Sequence, residues 1–299
     1  MPTLLDFRRR IRSVKNTQQI TRAMKFVAAA RLRRAQEKAI SARPYAQRLE
    51  EVLRSAMSRV ENPSNPLLAR RPEERILVLV VSGDRGLCGA FNTNVIRRAQ
   101  HFLREHVERK LEVIPIGKKV RDALRKQKWT FAAEYINFTA HLEFALAQKV
   151  SQLAIERYAA GETDAVYAVY NEFKSVLTQK LVVQKILPLE TGQAPPKPEE
   201  DVQRGESARG EPTVDYIYEQ PAEEIFKRLL PRYVETQVFR AMLESVAAEH
   251  AARMTAMESA TNNAAELIEQ LTLHMNKVRQ AAITKELIEV VSGAASAGM

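Results

Sequence analysis

The segment that decides the fold spans residues 243–282 and reads LESVAAEHAARMTAMESATNNAAELIEQLTLHMNKVRQAA. Mostly small or apolar residues recur in it at alternating steps of three and four: Leu243, Ala247, His250, Met254, Met257, Thr261, Ala264, Ile268, Leu271, Met275, Val278 and Ala282. A spacing that averages about 3.5 residues is the seam of a left-handed coiled coil. At about 1.5 Å per residue, the C-terminal helix that carries this seam reaches about 100 Å.

A second seam with the same spacing starts near the N-terminus. It comprises Ile11, Val14, Gln18, Thr21, Lys25, Ala28, Leu32, Ala35, Ala39, Ala42, Ala46, Leu49, Leu53, Ala56 and Val60. A helix from the N-terminus to Val60 is about 90 Å long. No compact core needs helices of this length, so the two seams predict a shaft with a separate body between them. Pro44 predicts a bend or a break in the first helix, and the helix breakers at 61–66 predict its end.

The middle of the chain follows a different pattern. Arg75 to Ser82 is a continuous apolar, β-branched run, which is typical of a strand buried on both faces. Strands and helices then alternate, which predicts a Rossmann-like α/β domain with an open, mostly parallel sheet. Predicted strands cover 111–116, 131–138, 164–173 and 180–187, and predicted helices cover 92–107, 118–126 and 141–158.

These patterns divide the chain into an N-terminal coiled-coil helix (1–61), the α/β domain (74–215) and a C-terminal coiled-coil helix (221–299). Residues 190–213 have no periodicity, and we interpret them as a mobile surface loop of the middle domain. Pro221 suits the first position of the last helix, and Pro231 predicts a kink in that helix or its true start.

The net charge of +10 is concentrated in the N-terminal helix. Residues 1–60 hold fifteen Lys/Arg and four Asp/Glu, and the arginines cluster at Arg8, Arg9, Arg10 and Arg12 and again at Arg31, Arg33 and Arg34. Such a helix favours an acidic partner, although an arginine-rich face that only contacts water is the simpler alternative.

The composition and motifs argue against several classes of protein. One cysteine, Cys88, excludes an internal disulfide framework and fits a reducing compartment. No run of eighteen apolar residues exists, and the basic start has no apolar signal-peptide core, so neither a membrane span nor a signal peptide is expected. The histidines show no metal-ligand spacing and no nucleophile elbow is present, so we expect no cofactor and no catalytic site of the chain's own.

A glycine-rich turn, Ser82 to Asn92, lies between a predicted strand and a predicted helix, where phosphate loops often sit. Its glycines are Gly83, Gly86 and Gly89, at steps of three. This spacing matches neither the dinucleotide motif nor the phosphate loop with its Lys-Ser/Thr pair. The residues therefore favour a structural turn over a nucleotide site.

The C-terminal helix carries an unusual set of polar side chains beside its apolar seam: Asn262, Asn263, Asn276, Lys277, Arg279, Gln280 and Thr284. They either face water or donate hydrogen bonds to loops of an enclosing partner. The last stretch, residues 287–295, is apolar and small, which predicts that a partner covers the helix end.

At these residues the chain resembles the γ subunits of F-type ATP synthases of bacteria, along essentially its whole length. Three blocks carry the resemblance: NTQQITRAMKFVAAA at 16–30, the turn at 82–92, and NKVRQAAITKEL at 276–287. Each block is specific alone, and all three occur in the family's order and spacing.

The resemblance implies a fold and a set of partners. The terminal helices are expected to form an antiparallel coiled coil inside an α3β3 hexamer, with the middle domain beside the ε subunit and on the membrane c-ring. The implied function is that of a central rotor stalk, which forces three catalytic β sites through successive states. Nucleotide chemistry belongs to the β subunits, so this chain is an essential subunit of an enzyme rather than an enzyme itself.

The resemblance also implies contact residues and a location. Met24, Arg253, Arg279, Gln280 and Thr284 match shaft residues near the β-subunit catch loops, and Arg33 and Arg34 belong to an electrostatic bearing. The turn with Asp84, Arg85, Gly86 and Cys88 matches a segment near the acidic β-subunit levers. A peripheral position on the cytoplasmic face of a bacterial plasma membrane is expected. With Cys88 alone, the thiol switch of the chloroplast form is excluded.

Two alternatives come from other classes of protein. A basic coiled-coil protein that binds nucleic acid would explain the arginine clusters, but not the slightly acidic C-terminal helix or its apolar end. A stand-alone nucleotide-binding enzyme would use the α/β domain, but the glycine spacing of the turn argues against it.

Overall fold

The computed structural model describes residues 3–57, 65–139, 142–176, 178–189 and 222–297. Its helices are α1 (Leu4–Met57), α2 (Phe91–Glu105), α3 (Lys118–Lys126), α4 (Phe144–Ala159) and α5 (Ala222–Ala297), with a short 3-10 turn at Pro66–Leu68. Its strands are β1 (Arg75–Val81), β2 (Lys110–Ile116), β3 (Ala165–Phe173) and β4 (Gln179–Leu187). Two compact units result: the first joins Met1–Ala30 to Arg253–Met299, and the second is Arg31–Ala252.

The first unit is an antiparallel pair of helices, formed by the start of α1 and the end of α5. The rings of Phe7 and His274 lie 5.2 Å apart. Further along α1, the hydroxyls of Thr21 and Thr261 are 2.8 Å apart. Lys25 then contacts Glu258, so the partner number falls as the α1 number rises. This order defines an antiparallel coiled coil.

Burial in the first unit follows the predicted seams. On α1, Thr21 and Ala28 are buried, and Ile11, Val14 and Gln18 are half-buried between exposed neighbours. On α5, Met257 and Ala264 are buried, and the other predicted seam positions up to Ala282 are half-buried. The alternating steps of three and four thus identified the packed face of both helices.

The second unit is built on a four-stranded sheet in the order β2-β1-β3-β4. Strand β1 pairs in parallel with β2 and β3, and β4 is antiparallel to β3. Ile76, Val78 and Val80 of β1 join a core cluster with α2 and α3. Their neighbours Leu77, Leu79 and Val81 are equally buried, which confirms the prediction of a strand covered on both faces.

Arg75 fixes the edge where β1 and β3 begin. Its backbone N–H and its guanidinium donate three hydrogen bonds of 2.7 to 3.0 Å to Asp164, just before β3. These hydrogen bonds hold the pKa of the Asp164 carboxyl below its ordinary value. The paired charges anchor the amino ends of the two central strands.

Some details of the sequence prediction differ from the structure. Residues 131–138 do not form a strand: only Phe131 and Tyr135 make isolated bridges to β2. The bridges join Val113 to Phe131 and Ile116 to Tyr135, so the segment has one residue more than β2 between them and continuous strand pairing does not form.

The two internal prolines do not interrupt their helices. Pro44 lies inside α1 and Pro231 inside α5, so neither marks a break or a start. The packing of long helices outweighs the local cost of proline. Predictions for 61–64, for Pro221 and for the 190–213 loop fall outside the described residues, and the domain limits 1–61, 74–215 and 221–299 stay a prediction.

Candidate subunit-contact site

The C-terminal part of α5 carries exposed polar side chains. Arg279, Gln280 and Thr284 are all exposed. The Thr284 hydroxyl donates to the carbonyl of Gln280 at 3.0 Å, so these two residues occupy one face of the helix, one turn apart. The polar groups predicted to contact a partner are therefore available at the surface.

Large apolar side chains accompany these polar groups. They are between half and about two-thirds exposed: Ile283 50%, Leu287 61%, Ile288 62%, Val290 69% and Val291 67%. Five such residues within nine positions are unusual on a free surface and typical of an interface. Within the residues that the structure describes, nothing covers them.

A polar layer crosses the coiled coil of the first unit beside Met24, which is half-buried. The layer consists of the Thr21–Thr261 contact and an ion pair of 2.7 Å between Lys25 and Glu258. Its side chains are 33% and 48% exposed, so solvent screens the ion pair and it contributes about 1 kcal/mol. Sequence reasoning placed Lys25 on the seam but missed Glu258; a lysine at a seam position is the signal that a carboxylate faces it.

The remaining predicted shaft residues differ in exposure. Arg253 of the first unit is half-buried on α5. Arg33 and Arg34, in the second unit, are exposed on α1, and Arg33 donates to Glu37 at 3.0 Å. Arg34 has no carboxylate partner within the parts of the chain that the structure describes. The arginine face is thus available to an acidic surface.

Reversal of charge on this face is expected to weaken assembly or turnover without unfolding α1. Arg33→Glu with Arg34→Glu removes one exposed ion pair and places a carboxylate one turn from Glu37, which costs only about 0.5 kcal/mol. Circular dichroism of the full chain is expected to show unchanged helicity. Complex yield and ATP turnover are expected to fall, and to fall most at low salt.

The matched control is Arg97→Glu with Arg104→Glu, which makes the same change in net charge on the exposed face of α2. An equal loss of turnover in both variants would mean that net charge alone matters. Wild-type assembly and turnover of the Arg33 and Arg34 variant at low and high salt would mean that these arginines only contact water.

The glycine-rich turn is held by Asp84, which follows β1 and is 9% exposed. One carboxylate oxygen accepts from the backbone N–H groups of Lys118 and Asn137 at 3.0 and 2.8 Å. The other accepts from the backbone N–H and the hydroxyl of Thr139. The carboxylate therefore ties the turn to the start of α3 and to the segment at 137–139.

Ser82 and Asn92 complete the support of the turn. The Ser82 hydroxyl accepts from the Val120 N–H at 3.0 Å. Asn92 accepts from the Gly83 N–H and donates to the carbonyl of Arg85 and to the Cys88 sulfur. The predicted site residues thus separate: Asp84 and Cys88 are buried inside the turn, whereas Arg85 and Gly86 are at the surface.

Among the described residues, no three His, Cys, Asp or Glu side chains converge as metal ligands. Over the same ranges, no helix combines the length and the apolar character that a membrane span requires.

A family model described as ATP synthase matches residues 3–297. The ATP synthase gamma chain of Solibacter usitatus is 52% identical over 99% of this chain and 100% of its own length. That of Pelotomaculum thermopropionicum is 46% identical over 99% of both chains.

The chain belongs to the ATP synthase gamma-chain family.

Solved structures agree with the fold. A chain of the Euglena gracilis mitochondrial ATP synthase, in its third rotational state, gives a TM-score of 0.65 at 21% identity, over 98% of this chain and 94% of its own. The rotor of the same enzyme in its first rotational state gives 0.63 at 22% identity, over 94% and 98%. The predicted fold class and the predicted gamma chain of a central rotor stalk are confirmed, and the nucleic-acid alternative has no support.

Proposed function

We propose that this gamma chain couples rotation of an ion-driven membrane ring to successive conformational changes at three catalytic sites of an α3β3 hexamer. The observation that carries the proposal is the exposed end of α5. Its apolar side chains and its polar face at Gln280 and Thr284 are exposed, as expected of a helix that a partner encloses in the assembly. The hexamer has threefold symmetry and the single gamma chain does not. The contacts of the gamma chain therefore distinguish one catalytic site from the others.

The candidate residues divide by task in this proposal. Arg279, Gln280 and Thr284, with Met24 and Arg253, contact the loops of one β subunit at a time. Arg33 and Arg34 face acidic groups of the hexamer and steer the helix by charge. The turn at 82–92 meets the acidic levers of the β subunits.

The rest of the assembly follows from the family. The second unit is proposed to contact the ε subunit and the c-ring, at the cytoplasmic face of a bacterial plasma membrane. The chain supplies no catalytic group and no cofactor, and ATP chemistry takes place in the β subunits. The turn supports this division, since its carboxylate is engaged by the backbone of α3 and of the 137–139 segment and its amide by the backbone of the turn.

The purified chain alone is expected to show no ATP hydrolysis above a buffer blank. When the chain is co-expressed with the α and β subunits of the same organism, the purified complex is expected to hydrolyse ATP. Tagged chain would be purified from these cells, its partners identified by mass spectrometry, and phosphate release measured. Failure to recover α and β subunits, or robust hydrolysis by the chain alone, would overturn the proposal. The hexamer without this chain is the control.

A further inference from the structure

Leu87, at the tip of the glycine-rich turn, has two unfavourable features, a strained backbone conformation and an exposed apolar side chain. Its φ of 62° is in the left-handed region, which disfavours side chains with a Cβ. Its side chain is also 65% exposed, so it gains little from burial within the chain. Neither feature stabilises the chain itself. A strained backbone with an exposed apolar side chain therefore indicates that Leu87 serves a function other than folding.

Hydrogen bonds on both sides of Leu87 hold this backbone conformation in place. Asp84, three residues earlier, accepts the hydrogen bonds that join the turn to α3 and to Asn137. Asn92 fixes the carbonyl of Arg85 and the sulfur of Cys88, on either side of Leu87. Strain persists only where the structure holds it in this manner. The turn is therefore rigid, and it holds the side chain of Leu87 at the surface.

The rim of the turn is cationic. Arg85, Lys118 and Lys119 are exposed, and in the described part of the chain none forms an ion pair. The ammonium of Lys119 lies 4.0 Å from the position that a Cβ on Gly86 would take, so it borders the tip. The nearby Asp122 is engaged by Arg121, whose hydrogen bonds lower the pKa of the Asp122 carboxyl.

We propose that Leu87 is the apolar anchor of the contact that this turn makes, and that its occupant is a protein segment with an apolar pocket bordered by carboxylates. The inference rests on the proposed function and deepens it. Arg85, Lys118 and Lys119 attract the carboxylates, and Leu87 fills the pocket. Asp84 is a positioning residue, and the buried Cys88 makes no contact with the partner.

The test is multisite ATP turnover of the complex of this chain with α and β subunits, in four variants. Leu87→Asn keeps a residue that tolerates positive φ but removes the apolar group, and about tenfold lower turnover is expected. Leu87→Met keeps an apolar group and is expected to stay within about twofold of wild type. Lys118→Glu with Lys119→Glu is expected to lower turnover more strongly at low salt.

Leu87→Gly distinguishes a role of Leu87 in the partner contact from a role in the stability of the fold. Glycine adopts this φ without strain, so thermal unfolding of the full chain, followed by Trp129 fluorescence, is expected at or above the wild-type midpoint while turnover falls. Loss of stability together with turnover would assign Leu87 a structural role and overturn the inference. Wild-type turnover in Leu87→Asn would also overturn it, although co-purification of α and β subunits would leave the proposed function intact.

Anionic vesicles provide the last control. Full chain would be mixed with phosphatidylglycerol–phosphatidylcholine vesicles and sedimented. Binding that Leu87→Asn abolishes would make lipid the occupant and contradict the proposal of an acidic protein segment; absence of this binding is the expected result.

Discussion

Gly117→Ala is expected to lower the free energy of unfolding of the second unit by at least about 3 kcal/mol. Gly117 has a φ of 113°, and a Cβ there would lie 2.2 Å from the carbonyl oxygen of Ser82. Backbone atoms cannot yield as a side chain does, so β1 and β2 must separate at their carboxyl ends. Urea unfolding of the full chain, followed by the fluorescence of Trp129, measures the change.

Trp129 is a suitable reporter because it is the single tryptophan and packs against the core cluster of the sheet. The matched control is Gly86→Ala, where the nearest atom to a new Cβ is the Lys119 side chain at 3.9 Å. Its stability is expected to stay within about 0.5 kcal/mol of wild type. Equal unfolding curves for the two variants would mean that the close approach of Gly117 to Ser82 has no energetic weight.

Gln280→Ala with Thr284→Ala is expected to reduce multisite ATP turnover of the complex by roughly ten- to thirtyfold while assembly and single-site hydrolysis stay near wild type. The two side chains offer an amide and a hydroxyl to a partner, and each neutral hydrogen bond contributes about 1 kcal/mol. Both residues are exposed, so their removal leaves the coiled coil intact. Steady-state turnover and single-site hydrolysis would be measured on the same preparation.

The control is Gln270→Ala with Thr272→Ala on the same helix. Thr272 donates to the carbonyl of Ile268 as Thr284 does to that of Gln280, so the hydroxyl bond removed is the same, and Gln270 loses in addition an exposed hydrogen bond to Glu266. This control is expected to keep wild-type turnover. If Gln280→Ala with Thr284→Ala fails to assemble, the pair is structural; if it turns over normally, torque passes through other contacts.

The sequence predicts the features of this fold that depend on periodicity. Thr21 and Ala28 are buried where the steps of three and four place them, and the β1 run is buried on both faces. Both patterns are local, because each follows from the repeat of a helix or a strand. The apolar composition of 287–295 predicts that a partner covers the end of α5; its side chains are exposed within the chain, and the partner stays a prediction.

The sequence does not predict features that depend on a few long-range hydrogen bonds. Residues 131–138 have the composition of a strand, but they make only two isolated bridges to β2 before Asn137 donates its backbone N–H to Asp84. The resemblance groups Asp84 with partner-contact residues, and the structure buries it among backbone donors from two other segments. Leu87 was missed because no pattern in the sequence reveals a positive φ at a leucine.

The central claim is that this chain rotates within a hexamer, and direct observation of that rotation tests it. A cysteine introduced at the exposed Arg104 would carry a bead, in complexes fixed to glass through their β subunits; the native Cys88 is buried and should not react. With ATP present, we predict unidirectional rotation in steps of a third of a turn. A bead that stays fixed while the same complexes hydrolyse ATP would contradict the account.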